Sequence, residues 1–244
     1  MVKFIGDPKD GLRDPNQRNV KPPKELGRDR IATLRKLGNG AFGDVNLGLY
    51  HPPEKNMPEF KVAIKTIKAG SAQAATDDLM KEAIISVQFD HPNVVVAIGV
   101  VTSGSPVMLV LELCSRGELQ GLLLKHANAG YTDFKPLSRS HKRKYCHDIA
   151  KGMAHIAELG FVHRDLAARN VLVDDHDACK VADFGLTKDR NTPEGEEDEY
   201  YIASAAGKVP VRWTAPPVTT LCTHHPCKLS SRDGTLLVLF LKLC

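Results

Sequence analysis

Residues 161–173 read FVHRDLAARNVLV, a run in which Arg164 and Asp165, then Arg169 and Asn170, interrupt an otherwise apolar stretch. A charge withdrawn from water is costly unless it is paired or bonded, so a chain keeps such groups in an apolar run when something there needs them. Asp165 is a carboxylate able to accept a hydroxyl proton, and Asn170 offers a neutral oxygen suited to magnesium. Downstream, VADFGL (181–186) places Asp183, a second hard oxygen ligand, beside Phe184 and Gly185.

Upstream lie the groups that would complete such a site. LGNGAFGDV (37–45) spaces Gly38, Gly40 and Gly43 as GxGxxG. That spacing also marks dinucleotide folds, where the glycines open a helix. Here a strand-like segment and then KVAIKTI (61–67) follow, so a glycine-rich hairpin folding over phosphates fits better than a plain turn. Strand alternation puts Lys65 on the face of Ala63, and a lysine on an inward face needs a counter-charge or an anionic ligand. Glu82 is the partner expected for it, on a helix predicted over 72–89 with Leu79, Ala83, Ile84 and Val87 at helical spacing and acidic residues early. A lysine, a base and two magnesium ligands in one water-poor cleft are what phosphoryl transfer uses, because it depends on positioning and charge neutralisation more than on covalent chemistry.

The rest of the chain fits around these motifs. IATLRKLG, DVNLGLY and FKVAIKTI read as strands of an antiparallel sheet, as do NVVVAIGVV and VMLVLEL. After Cys114 the pattern turns helical, in RGELQGLLLKHANAG and in LSRSHKRKYCHDIAKGMAHIAELG. The second helix sets Tyr145, Ile149, Met153 and Ile156 on one face, with Gly160 as its cap. Its basic start, Arg139, Lys142, Arg143 and Lys144, reads as a solvated helix end or a docking patch. A net charge of +4 argues against a dedicated nucleic-acid binder. The chain shows no signal peptide, and its longest aliphatic run, 236–241, is too short to span a bilayer, so a soluble protein is expected. Six cysteines without a disulfide-framework spacing favour a reducing, cytoplasmic compartment. Cys222 and Cys227 flank two histidines in no zinc-site spacing.

Together HRDLAARN, VADFGL, the glycine-rich stretch and VAIK resemble the catalytic domain of the eukaryotic protein kinases, over about residues 30–216. The resemblance implies an α+β, bilobal fold with a β-rich first lobe carrying one helix and a helical second lobe, and it implies ATP and Mg2+ as cofactors. Gly38, Gly40 and Gly43 would cover the ATP phosphates, and Lys65, paired with Glu82, would contact the α and β phosphates. Asp165 would be the catalytic base, with Asn170 and Asp183 holding magnesium. Leu37, Val45, Ala63 and Leu172 would sandwich adenine, Leu111 would be the gatekeeper, and Glu112 to Cys114 the hinge. Serine/threonine members carry a lysine two residues after the catalytic Asp. Ala167 stands there in this chain and Arg169 follows in the AAR arrangement of the tyrosine kinases, while KVPVRWTAP (208–216) resembles their substrate platform. The implied substrates are protein tyrosines, including Tyr200 and Tyr201 of the chain itself in trans, where phosphate would pair with Arg164.

The resemblance weakens at two places. Pro217 replaces the family's glutamate, and 217–244 reads as a divergent tail in which Asp233 alone traces the next helix. Ser86, four residues after Glu82, stands where the family places a large apolar side chain against the Phe of DFG. The expected organisation is a linker (1–29), an N-lobe (30–114), a partial C-lobe (115–216) and that tail. Two readings stay open: a working tyrosine kinase domain, or an inactive ATP-binding or scaffolding fragment.

Overall fold

Five antiparallel strands form the first part of the protein in its computed structural model, which describes residues 20–39, 43–54, 56–67, 73–127 and 137–189. They are β1 (Ile31–Asn39), β2 (Gly43–Tyr50), β3 (Phe60–Ile67), β4 (Ala97–Val101) and β5 (Met108–Glu112), in the order β1-β2-β3-β5-β4. The period of two decides their faces. Val62 and Ile64 of β3 pack with Leu26, Tyr50, Val101 and Val110, while Ala63 and Lys65 turn to the opposite side. Gly43 is required by crowding, since a Cβ there would lie 1.9 Å from the carbonyl oxygen of Thr66 on the neighbouring strand.

Helix α1 (Gln73–Ser86) lies against β3, β4 and β5. It is shorter than the predicted 72–89, and its aspartates, Asp77 and Asp78, come after the first turn. Its buried face also differs: Leu79 and Ala83 are buried as expected, but the other two buried residues are Glu82 and Ser86, with Ile84 and Val87 only half-buried. Apolar spacing missed this because two polar residues occupy the stripe.

The expected linker does not extend to residue 29. Backbone bonds from Leu26 N–H to Val100 O (2.7 Å) and from Val100 N–H to Lys24 O (2.8 Å) lay this segment along the free edge of β4. Leu26 is 3% exposed, and one buried leucine plus a strand edge suffice to order residues that composition alone marks as unstructured.

Beyond Cys114 come β6 (Gly117–Glu118), α2 (Leu119–Ala127), α3 (Arg139–Glu158), β7 (Phe161–Val162), β8 (Val171–Val173), β9 (Cys179–Val181) and β10 (Lys188–Asp189). The Ser138 hydroxyl caps α3 by accepting from His141 N–H, and Gly160 just past its end takes φ +77°, the left-handed turn that glycine permits. Tyr145, Ile149 and Ile156 are buried in the main core with Leu119, Val171, Val181 and Phe184; Met153 is half-buried and Gly152 completes the stripe. At Gly152 the helix comes so close that a Cβ would meet the carbonyl oxygen of Asn93 at 2.3 Å. The small sheets β6-β8-β9 and β10-β7 are two and three residues per strand, too short for any periodicity to announce them. Among the described residues no helix is long and apolar enough to cross a membrane, and no three acidic, histidine or cysteine side chains are grouped as for a metal ion. Gly40, Tyr200, Tyr201, the 208–216 segment, Pro217, Cys222, Cys227 and Asp233 lie outside the described residues.

Candidate active site

Strand β3 delivers Lys65 to a buried position, 6% exposed, and α1 brings Glu82, 5% exposed, to meet it. The Lys65 ammonium donates to both Glu82 oxygens at 2.7 Å and to Asp183 Oδ1 at 3.2 Å. Burial alone would strip the proton from Lys65, but the two carboxylates outweigh it and hold the ammonium protonated. Burial pushes the Glu82 carboxyl up, against the pull of Lys65, while Asp183 is held below the usual carboxylate range because Lys65 overcomes its burial. The ammonium therefore organises two carboxylates from distant parts of the chain.

The second wall is the loop between β7 and β8. Arg164 adopts φ 62° and its Nε donates to Leu186 O at 2.6 Å; Asp183 also sits in the left-handed region, at φ 63°. Such backbone is costly for residues with side chains and persists where packing over-determines it. His163, 1% exposed, places Nε2 3.0 Å from Ala182 O and accepts Asp165 N–H on Nδ1. Burial keeps this imidazole neutral, so it pins both loops without adding charge. Arg169 donates to Asp165 Oδ1, and Asn170 Nδ2 donates to Asp165 Oδ2 and to its backbone oxygen, both at 2.7 Å. Each Asp165 oxygen keeps a further lone pair for an incoming proton. Phe184 packs between Phe89 and His163, with ring centroids at 4.8 and 5.3 Å. The polar run within 161–173 is thus fully accommodated: among the described residues no buried side-chain nitrogen or oxygen lacks a hydrogen-bond partner.

Both walls face one cavity of about 930 Å³. It is lined by Leu37, Gly38, Val45, Ala63, Lys65, Glu82, Leu111, Glu112, Cys114, Asp165, Arg169, Asn170, Leu172 and Asp183. The structure therefore gathers the residues proposed from sequence, with two exceptions: Gly40 is not described and Gly43 does not line the cavity, its place being dictated by β3. At Gly38, by contrast, a Cβ would meet nothing within 4 Å and would project into open space. Burial pushes the Cys114 thiol up to about 12, so this cysteine behaves as a small apolar group. The Glu112 carboxylate is engaged on Lys180 at 3.0 Å and on Val96 N–H at 2.7 Å, so its charge is compensated within the protein.

Sequence reasoning missed several lining residues. Val95 and Ala182 pack with Cys114, Leu111 and Leu172 to make an apolar floor. Ala182 was adjacent to a named motif and findable from it; Val95 sits within three consecutive valines, whose facing no periodicity can decide. Arg35, Lys61 and Arg116 stand at the polar margin of the cavity.

The family model described as protein tyrosine and serine/threonine kinase matches residues 31–225. The chain belongs to this kinase family. Among curated proteins it is similar to ephrin type-A receptor 7 of Gallus gallus, at 42% identity over 203 residues, covering 83% of this chain and 19% of that protein. It is also similar to ephrin type-A receptor 3 of Danio rerio, at 40% over 207 residues (85% and 20%), and to ephrin type-B receptor 1 of Gallus gallus, at 40% over 203 residues (83% and 20%). The chain spans about a fifth of the length of these relatives. The kinase α+β fold, with its β-rich first part, is the one described above.

Proposed function

We propose that this chain is a protein tyrosine kinase domain that transfers the γ-phosphoryl group of ATP to tyrosine hydroxyls. The observation that carries the reading is the convergence of Lys65, Glu82 and Asp183 with Asp165 and Asn170 on one cavity whose floor is apolar. A volume of about 930 Å³ is within the usual range for small-molecule sites. The apolar floor and Leu37, Val45 and Ala63 suit a purine ring, with the Glu112 carbonyl and the Cys114 backbone at its edge.

In this reading Lys65 orients the α and β phosphates and Glu82 fixes its position. The donor set fits magnesium: Asp183 supplies a carboxylate, and because the Asn170 amide nitrogen is spent on Asp165, its remaining polar atom is a carbonyl oxygen. Bound there, the ion would neutralise charge on the phosphates. Asp165 accepts the phenol proton while Arg169 steadies its carboxylate; the phenol oxygen bonds to the γ-phosphorus as the bond to the bridging oxygen breaks. Ala167 and Arg169 support tyrosine over serine or threonine, and the ephrin-receptor similarity supports it independently. Tyr200 and Tyr201, preceded by an acidic run, are the proposed autophosphorylation sites, and a cytoplasmic location accords with the chemistry.

Magnesium-dependent incorporation of labelled phosphate from ATP into a poly-Glu/Tyr peptide and into the protein, beside Asp165→Asn, tests this. Signal on tyrosine above the variant is the expected result. One observation favours a second reading, an ATP-binding module without transfer: Ser86, 2% exposed, lines the same cavity as Phe184 and brings a small hydroxyl, bonded to Glu82 O at 2.7 Å, where the family resemblance implies a large apolar side chain. A thermal shift with ATP but no transfer would select that reading.

A further inference from the structure

The turn after α1 meets the last part of α3 through two histidines. The rings of His91 and His155 stack with centroids 5.1 Å apart and planes at 24°. Each also accepts a backbone N–H: Asn93 donates to His91 Nδ1 at 3.0 Å and Asp90 donates to His155 Nε2 at 3.4 Å. A ring nitrogen that accepts a hydrogen bond carries no proton, so both contacts exist only with the imidazoles neutral. Protonation would turn each acceptor toward a donor and set two cations face to face. The helix lies close against the turn here, since a Cβ at Gly152 would meet Asn93 O at 2.3 Å.

The turn also carries Phe89, whose ring lies 6.4 Å from that of His155 and 4.8 Å from that of Phe184, next to Asp183. We propose that His91 and His155 form a proton-sensitive joint: neutral, it fastens the turn after α1 to α3 and seats Phe89 against Phe184; protonated, it releases the turn. The charged groups around it favour this behaviour. Burial, and after it His155, does most to oppose a positive His91; Lys151 of α3 and Lys180 of β9 add to the opposition, and Glu158 of α3 acts the other way. Because the native state holds His91 below its ordinary value, the joint contributes stability at neutral pH and loses it as the pH falls below about 6.5.

The test does not require phosphotransfer. Amide hydrogen exchange of Asp90 and Asn93, corrected for intrinsic rates, is followed by NMR from about pH 7.5 to about pH 5.5 together with the two histidine ring resonances. Protection of both amides is expected to fall by about tenfold with the ring titration, while Ile64 of β3 stays protected. The double variant His91→Asn with His155→Gln keeps an acceptor at each place without titrating, and its protection is expected to stay flat. Protection that is flat in the parent protein, that falls equally at Ile64, or that falls as much in the variant overturns the proposal.

Discussion

Helix α1 borders the site and α3 lies behind it, against β7 and β9, and the two are held by different means. The 20-residue α3 buries Tyr145, Ile149 and Ile156 in the main core and has a capped start. The 14-residue α1 buries Glu82 and Ser86 beside Leu79 and Ala83, and its firmest tie is the ion pair to Lys65. Apolar packing is non-directional and secures α3 wherever its stripe lands. A hydrogen-bonded ion pair is directional, and it adds one specific tie between α1 and β3 to the apolar packing of Leu79 and Ala83 against Val100 and Leu109.

Breaking the polar tie has the largest expected effect. Lys65→Met lowers phosphotransfer by on the order of 100- to 1,000-fold, read as labelled phosphate on a tyrosine peptide. It also destabilises the fold by about 3 kcal/mol, because Glu82 is left buried without its partner, measured by urea unfolding. Adding Glu82→Leu recovers most of that stability and none of the transfer; recovery of transfer would mean that Lys65 acts only as a strut. The apolar tie breaks differently. Ile149→Ala costs about 3 kcal/mol through the cavity it leaves in the core of α3, with phosphotransfer per folded molecule nearly unchanged.

Two smaller changes sharpen the contrast. Tyr145 donates to Asp177 Oδ1 at 2.7 Å, so Tyr145→Phe costs about 1 kcal/mol while the ring still packs. A loss near that of Ile149→Ala would show that α3 depends on polar contacts after all. Ser86→Ala stabilises the protein by about 0.5 kcal/mol in thermal unfolding, since the hydroxyl bonds only its own helix and alanine is the better helix former. A clear loss would mean that the hydroxyl supports more than its own helix.

The residues from which the site is built were legible because each belongs to a short stretch whose chemistry is local. A charged pair in an apolar run, glycines between strands and a lysine on an inward strand face all announce themselves within a few positions. So did α3, whose buried stripe runs from Tyr145 to Ile156, and the five strands, read from β-branched or alternating runs bounded by Gly and Pro clusters. The sequence by itself determined the kinase family, the five long strands, α3 and about half of the residues that line the cavity. Only the tertiary structure decided that the segment before residue 30 continues the sheet along β4, that α1 buries Glu82 and Ser86, that Gly43 answers to Thr66, that Val95 helps form the floor, and that His91 meets His155. Each of these depends on where a second, distant segment lies, and periodicity within one segment carries no record of its partner's position.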